Sequence, residues 1–244
     1  MRDWFSWNGV KCTEKGMHVL NQPGESRPAE RMTTETIYGR SGSLTKLEGD
    51  GVFDDVIKTC DCLVKDPTKI PEISRWLSGR GQVTFATRTG GHYMGRVSNQ
   101  IDFTKVLRGN PHRKFTINFR CDPYWYYDNV ADITVSGSGT SVTNPGTAEA
   151  VPKIRITGSG DITLMATGGG TAQSVVLTGI DGGIILDGAN QEAYAIPAGG
   201  SATAASMNDK MDGEFLTLAP GANQIAWTGS VTSIVITPNW RDLG

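Results

Sequence analysis

An all-β fold with one short helix is what this sequence predicts, and three observations carry the prediction. The 244 residues include 31 glycines but only 38% hydrophobic side chains, which suits short strands and many turns better than helices with wide apolar faces. Apolar and polar residues alternate in short runs along most of the chain, the period of a half-buried strand. Gly, Pro and Asn punctuate those runs at short intervals. The length fits two domains of ordinary size, and the composition changes after Pro123, so domains are expected at 1–129 and 130–244.

In the first half, strands are expected at Ser43 to Leu47, Val52 to Cys62, Val83 to Thr87 and Phe115 to Cys121. The last is the cleanest, with Phe115, Ile117, Phe119 and Cys121 on one face and Thr116, Asn118 and Arg120 on the other. A helix is expected over Ile70 to Leu77, with Pro71 near its start, Ile73, Trp76 and Leu77 at helical spacing and Gly79 just past its end.

The second half opens on a polar, turn-rich stretch around a strand at Ile133 to Val135. Strands are then expected at Lys153 to Thr157, Asp161 to Ala166, Ser174 to Thr178, Gly183 to Leu186, Glu192 to Ile196, Glu214 to Leu218, Gln224 to Trp227 and Ser233 to Thr237. Regular short strands with polar turns predict a β-sandwich. The Gly168 to Gly170 run has no following Lys-Ser or Lys-Thr pair and no helix start, so it reads as a hairpin turn and not a phosphate cradle.

A net charge of −2 offers no electrostatic footprint for a phosphate backbone, so specific nucleic-acid binding is not expected. No apolar run approaches the roughly 18 residues that would span a bilayer, and the opening MRDWFSWNGVK lacks the apolar core of a signal peptide. Neither a membrane nor export is expected. Cys12, Cys60, Cys62 and Cys121 all lie in the first half, and the single-residue spacing of Cys60 and Cys62 is too tight for a structural zinc pair. On an alternating strand both thiols face one side, as small core residues.

The chain is not expected to be an enzyme, and no cofactor is expected. His18, His92 and His112 are its three histidines; His92 reads as a hairpin tip, His112 as part of a basic loop, and neither has an acidic neighbour to orient it. The carboxylates Asp54 with Asp55, Asp181 with Asp187, and Asp209, Asp212 and Glu214 read as turn formers and solvated loops, not as a glycosidase pair or a calcium loop. Trp227 alternates with Ile225 and reads as core. A carbohydrate-binding β-sandwich module is the alternative reading, and it requires an exposed aromatic platform.

The stretch Phe215 to Arg241, FLTLAPGANQIAWTGSVTSIVITPNWR, resembles the C-terminal signature of the distal tail protein (Dit) family of siphophage and prophage baseplates. In that family a leucine strand, a PGxN turn, an IxWTG strand and a PxWR terminus follow in this order. WNGVK at Trp7 to Lys11, YGRSGSL at Tyr38 to Leu44, the acidic pair Asp54 and Asp55, FTINFRCDPYWY at Phe115 to Tyr126, and NPGTAEAVPKIRITGSGDITL at Asn144 to Leu164 are similar to its other motifs, in the family's order. The resemblance implies a split-barrel-like N-terminal β-sandwich that builds a six-membered ring, with a hairpin arm as a belt between neighbours, and a galectin-like C-terminal β-sandwich projecting outward. Thr84 to Arg96, with its central Gly-Gly, and the polar Glu25 to Arg40 are the two candidate arms. The implied role is a virion structural protein at the tip of a long non-contractile tail, made in the bacterial host cytoplasm. Its implied partners are itself, the major tail tube protein, the tape measure protein, a tail-associated fibre or lysin protein, and receptor-binding proteins for host adsorption. Gly39, Gly42, Phe119, Pro123, Pro220, Gly221, Trp227 and Trp240 are the residues expected to matter for this architecture.

Overall fold

The computed structural model describes residues 3–49, 51–197 and 204–244. The chain divides into two compact units, one running to Tyr126 and including Leu243–Gly244, the other Tyr127–Asp242.

The first unit contains strands β1 (Phe5–Trp7), β2 (Val10–Lys11), β3 (Met17–Asn21), β4 (Met32–Thr36), β5 (Ser43–Leu47), β6 (Val56–Val64), β7 (Arg80–Phe85), β8 (Arg88–Val97), β9 (Thr104–Lys105) and β10 (Arg113–Tyr127), and the helix α1 (Ile70–Trp76). One sheet runs in the order β2-β1-β7-β8-β10-β6-β3, with β9 added on β10. Its buried face is set by strict alternation: Val56, Lys58, Cys60, Cys62 and Val64 point inward from β6, opposite Phe115, Ile117, Phe119 and Cys121 of β10. Phe119 is the hub of this core, with ring centroids 5.2 Å from Phe5, 5.6 Å from Trp7 and 5.9 Å from Phe85. The helix buries Ile73 and stacks Trp76 on Phe5 at 5.9 Å.

Three expectations for this half are corrected. The strand expected from Val52 begins only at Val56, because Phe53 and Asp54 pair back to Glu30 and Ala29 instead of joining the sheet. Thr84 to Arg96 is no protruding arm: it is most of a paired hairpin inside the sheet, with Phe85 and Tyr93 buried. Its Gly91 serves close packing, since a Cβ there would lie 2.2 Å from the Tyr126 carbonyl and 2.4 Å from the Trp125 ring. His92 is correspondingly mid-strand and not at a tip, half-buried and stacked on Tyr126 at 5.8 Å.

The second unit contains β11 (Ile133–Val135), β12 (Thr140–Asn144), β13 (Lys153–Gly168), β14 (Thr171–Ile180), β15 (Ile184–Asp187), β16 (Glu192–Ala195), β17 (Met211–Gly213) and β18 (Gly221–Thr237). Where four short strands were expected there are two long ones, β13 and β18, paired along their length. Their ladder slips between Thr157 and Gly158 and again between Ser159 and Thr163. There Gly158 meets the Ser230 carbonyl and Gly229 (φ +94°) the Asp161 carbonyl, at distances of 2.4 and 2.2 Å from where a Cβ would stand. These glycines let the pair bend without breaking, so the Thr228-Gly229-Ser230 stretch, with the composition of a turn, is a bulge inside β18. Below the bend the pair is flanked by β15, β16 and β11, above it by β14, β17 and β12. One apolar core takes Ile154, Ile156, Ile234 and Ile236 from the first half and Leu164, Val175, Leu177 and Ile225 from the second. Glu214 to Leu218 is not a ladder strand; Leu218 makes a single bridge to Ala150, and Thr217 is held by side-chain hydrogen bonds with Gln173.

Two buried asparagines hold the turns of this unit. Asn223 accepts from the Ala219 amide (2.9 Å) and donates to the Ala219 and Gly221 carbonyls (2.8 and 3.0 Å), so it closes the Pro220-Gly221 turn on itself. Asn144 donates to the Ala148 and Leu218 carbonyls (3.0 and 2.9 Å) and accepts from the Gly146 amide (2.8 Å). Asn223→Ala is expected to destabilise the second unit by about 2–3 kcal/mol, because it strands buried backbone groups. Urea unfolding with hydrogen exchange read at residues of that unit measures it.

Candidate assembly surface

Strands β4 and β5 form a two-stranded hairpin that joins neither sheet. Every residue of both strands is exposed. Met32 pairs with Leu47 on one face, Glu35 with Leu44 on the other, and Ile37 and Tyr38 stand exposed at the turn. Gly39 (φ +80°) and Gly42 (φ +81°) are needed there for their left-handed backbone, since a Cβ at either would meet open space. The root is clamped. Arg31 and Val52 share a backbone hydrogen bond, the Asp54 amide donates to the Ala29 carbonyl, and the Arg31 guanidinium donates to Asp54 at 3.0 Å. The segment leading into the arm is held by Lys58, the one buried lysine or arginine among the described residues, whose Nζ donates to the Gly24 carbonyl (3.3 Å) and Ser26 Oγ (3.1 Å) and lies 5.0 Å over the Tyr93 ring. Burial pulls its pKa below the ordinary lysine value. An isolated two-stranded hairpin is marginal in water, and this one carries a large apolar surface for its size.

The outer face of the first sheet carries a row of charge. Arg80 of β7 faces Arg96 of β8 directly across the ladder, and Arg120 of β10 faces Ile57 of β6. Asp122 takes Arg80 at 2.5 Å and Asp55 takes Arg120 at 2.6 Å. Together with Gly95 and Arg96 they line a shallow basin of about 230 Å³.

The four thiols lie behind this face, all reduced and buried. Burial raises each: Cys121 to about 12, Cys60 and Cys62 well above the ordinary thiol, and Cys12 above it. In the second unit a recess of about 530 Å³ is lined by Lys153, Asp187, Asn190, Tyr194 and Asn208, among others. Asp187, expected in a solvated turn, is buried there. Burial pushes its carboxyl up, but Lys153 at 2.8 Å and the hydrogen bonds from Asn190 outweigh this and hold it below the usual range. Among the described residues no group of three or more His, Cys, Asp or Glu could hold a metal ion, and no helix is long and apolar enough to cross a membrane.

The eight residues singled out from the sequence do not converge on one place. Gly39 and Gly42 shape the arm tip, Phe119 centres the first core, and the Pro123 carbonyl accepts from the Gly244 amide. In the second unit Pro220 and Gly221 make the turn that Asn223 closes, Trp227 packs half-buried on the core, and Trp240 is buried in it. The arginine row, Lys58 and both asparagines escaped sequence reasoning. Only the pattern of a lysine at an inward position of β6 could have flagged one of them.

Two all-β units, the first bearing a clamped hairpin arm and a charged sheet face, define a chain whose most developed surface is suited to contact with protein. A solved structure with the same build is the Dit (gp 19.1) protein of SPP1, described as a paradigm of the hub adsorption apparatus in phages infecting Gram-positive bacteria. It is 18% identical to this chain, with a TM-score of 0.70 over 97% of this chain and 98% of the other. No protein-family model and no curated protein matches the sequence.

Proposed function

We propose that this chain is a distal tail protein: a structural hub at the tip of a long non-contractile phage tail. Six copies close into a ring through the first unit, and the galectin-like second unit projects outward. The ring joins the tail tube and tape measure on one side to fibre and receptor-binding proteins on the other. Its mechanism is geometric, resting on symmetry matching, an opening for DNA and rigid presentation of the outer units. The observation that carries the reading is the solitary hairpin arm, an element with too little apolar contact of its own, in a fold matching an adsorption-hub protein over almost its whole length. A heterologous interface that closes on itself makes a ring, and an arm reaching a neighbour suits such an interface.

Light scattering on the purified full-length protein, with negative-stain imaging of the same peak, tests it. The expected mass is six times 26.2 kDa, or twice that for stacked rings. A strict monomer up to about 10 mg/ml overturns the ring, and glycan binding by such a monomer would favour the recess at Asp187 and the carbohydrate-binding alternative.

A further inference from the structure

The hairpin of β9 and β10 carries charge that the fold does not use. From Phe103 to Cys121 the sequence has five Lys or Arg and no Asp or Glu, in a chain of net charge −2. Lys105 and Arg113 stand directly opposite each other across the ladder, a placement that like charges disfavour. Arg108 lies in the turn between them and Lys114 follows Arg113, and none of these four makes an ion pair among the described residues. The turn that presents them is internally bonded. The Asn110 amide donates to the Leu107 carbonyl (3.2 Å), the His112 amide to Asn110 Oδ1 (2.8 Å), and the Arg113 guanidinium to the Pro111 and His112 carbonyls (2.5 and 3.2 Å). Val106 and Leu107 stand on it 46% and 66% exposed.

Beside the hairpin lies a groove of about 540 Å³, with Lys105, Val106, Lys114 and Phe115 in its lining. It lies at the break between the end of β8 and the start of β9. There the Asn99 side chain takes the place of a strand, donating to the Thr116 carbonyl (2.9 Å) and accepting from the Asn118 amide (2.7 Å). Those backbone groups of β10 are thereby satisfied, so an occupant of the groove is read by side chains. The one acid of the described lining, Asp102, accepts from Gln100 Nε2 (2.7 Å).

We infer that this groove and the turn beside it bind an acidic, partly aliphatic segment of a different protein, its carboxylates on Lys105 and Lys114 and its apolar side chains against Val106 and Leu107. Charge complementarity carries the choice of partner: four unpaired cations on an otherwise acidic chain are a surface for anions. A concave site suits a chain segment and not a flat bilayer. Phe115, the one aromatic of the described lining, is buried, so no ring is available on which nucleic-acid bases would stack. A turn held by its own hydrogen bonds loses little freedom when a partner arrives. Every residue involved belongs to a single copy of the chain, so the site does not depend on ring closure.

Fluorescence anisotropy on the full-length protein tests it, with a dye-labelled peptide of about twelve residues that alternates glutamate and valine. Saturable binding with a Kd below about 100 μM is expected at low salt. Lys105→Glu/Lys114→Glu is expected to raise that Kd about tenfold or more, and Val106→Ser/Leu107→Ser about threefold. The melting temperature of Lys105→Glu is expected to equal or exceed that of the wild type, because a glutamate opposite Arg113 turns a repulsive cross-strand pair into an attractive one. No saturation up to about 1 mM, or an unchanged Kd in the double-lysine variant, overturns the site. A lowered melting temperature in Lys105→Glu also overturns it, since the charge would then serve the fold. Tighter binding to an oligothymidine of about twenty nucleotides, or to phosphatidylglycerol vesicles, than to the peptide overturns the protein segment as the occupant.

Discussion

Raising the pH from 8 to about 10.5 under reducing conditions strongly destabilises the first unit and leaves the second largely unaffected. The four thiols are the reason. Their ordinary value is 9.0, and in the folded state burial holds all four above it. A group whose folded value is raised gives its full stability below the unfolded value and loses it as pH climbs toward the folded one. Above pH 9 the unfolded thiols ionise and the folded ones cannot, at about 1.4 kcal/mol per pH unit for each. Tyr93, also raised by burial above its ordinary 10.0, adds to the loss at the top of the range. Lys58 works the other way. Its folded value is depressed, so the cost of burying its charge is relieved as pH rises toward its ordinary 10.5. Four thiols against one ammonium leave a net slope of roughly 4 kcal/mol per pH unit, a loss of about 6 kcal/mol between pH 9 and 10.5 that matches the lower end of a typical stability of about 5–15 kcal/mol. The second unit has no cysteine. Hydrogen exchange as a function of pH reads the two units separately, and in Cys60→Ala/Cys62→Ala the net slope of stability against pH should fall by about two thirds, from roughly 4 to roughly 1.4 kcal/mol per pH unit. Equal loss of both units, or an unchanged slope in that variant, would contradict the burial account.

On the proposed ring reading, excising residues 32–47 and closing the gap with a short Gly-Ser linker is expected to leave a folded monomer in place of a ring. The ends to be joined are already close, because the Glu48 amide donates to the Arg31 carbonyl at 3.1 Å. The monomer loses little, since no residue of either arm strand is buried and surface substitutions away from special features are worth about 0.5 kcal/mol or less. The proposed ring would lose a whole connection, with Met32, Leu44 and Leu47 as its apolar content. Light scattering should fall to the mass of one chain while the calorimetric melting temperature stays within about 2 °C. An arm-less protein that still assembles would move the interface to the sheet edges at β2 and β3.

The sequence made the fold class legible through local alternation, which reports burial directly. Phe115 to Cys121 and Ile133 to Val135 lie in strands as their periodicity predicts, and α1 starts at Ile70 with Pro71 in its first turn. It was least legible where a glycine has two uses. The TGS of β18 and the Gly-Gly of β8 have the composition of turns, yet both sit inside strands, and at Gly229 and Gly91 a neighbouring backbone passes too close for any Cβ. That proximity belongs to the sheet and has no local signal. The arm was half visible: Ser43 to Leu47 reads as a strand, but its partner MTTET lacks an apolar face and disappears into a polar segment. The arginine row was invisible for a related reason. Arg80, Arg96 and Arg120 are far apart in the chain, and only strand order brings them side by side.

The long pairing of β13 with β18 also sets an order of events during folding. Lys153 pairs with Thr237 and Gly168 with Asn223, so β13 waits for more than fifty further residues before the central partner on its β18 side exists. Contacts so distant in sequence form slowly. Through that interval β13 can pair with β14 through the Gly169–Gly170 turn, but its other edge, sixteen residues long, stays open. Such an edge is a template for pairing with other chains. Yield of this protein should therefore depend on temperature and on chaperone supply during synthesis more than its final stability would suggest.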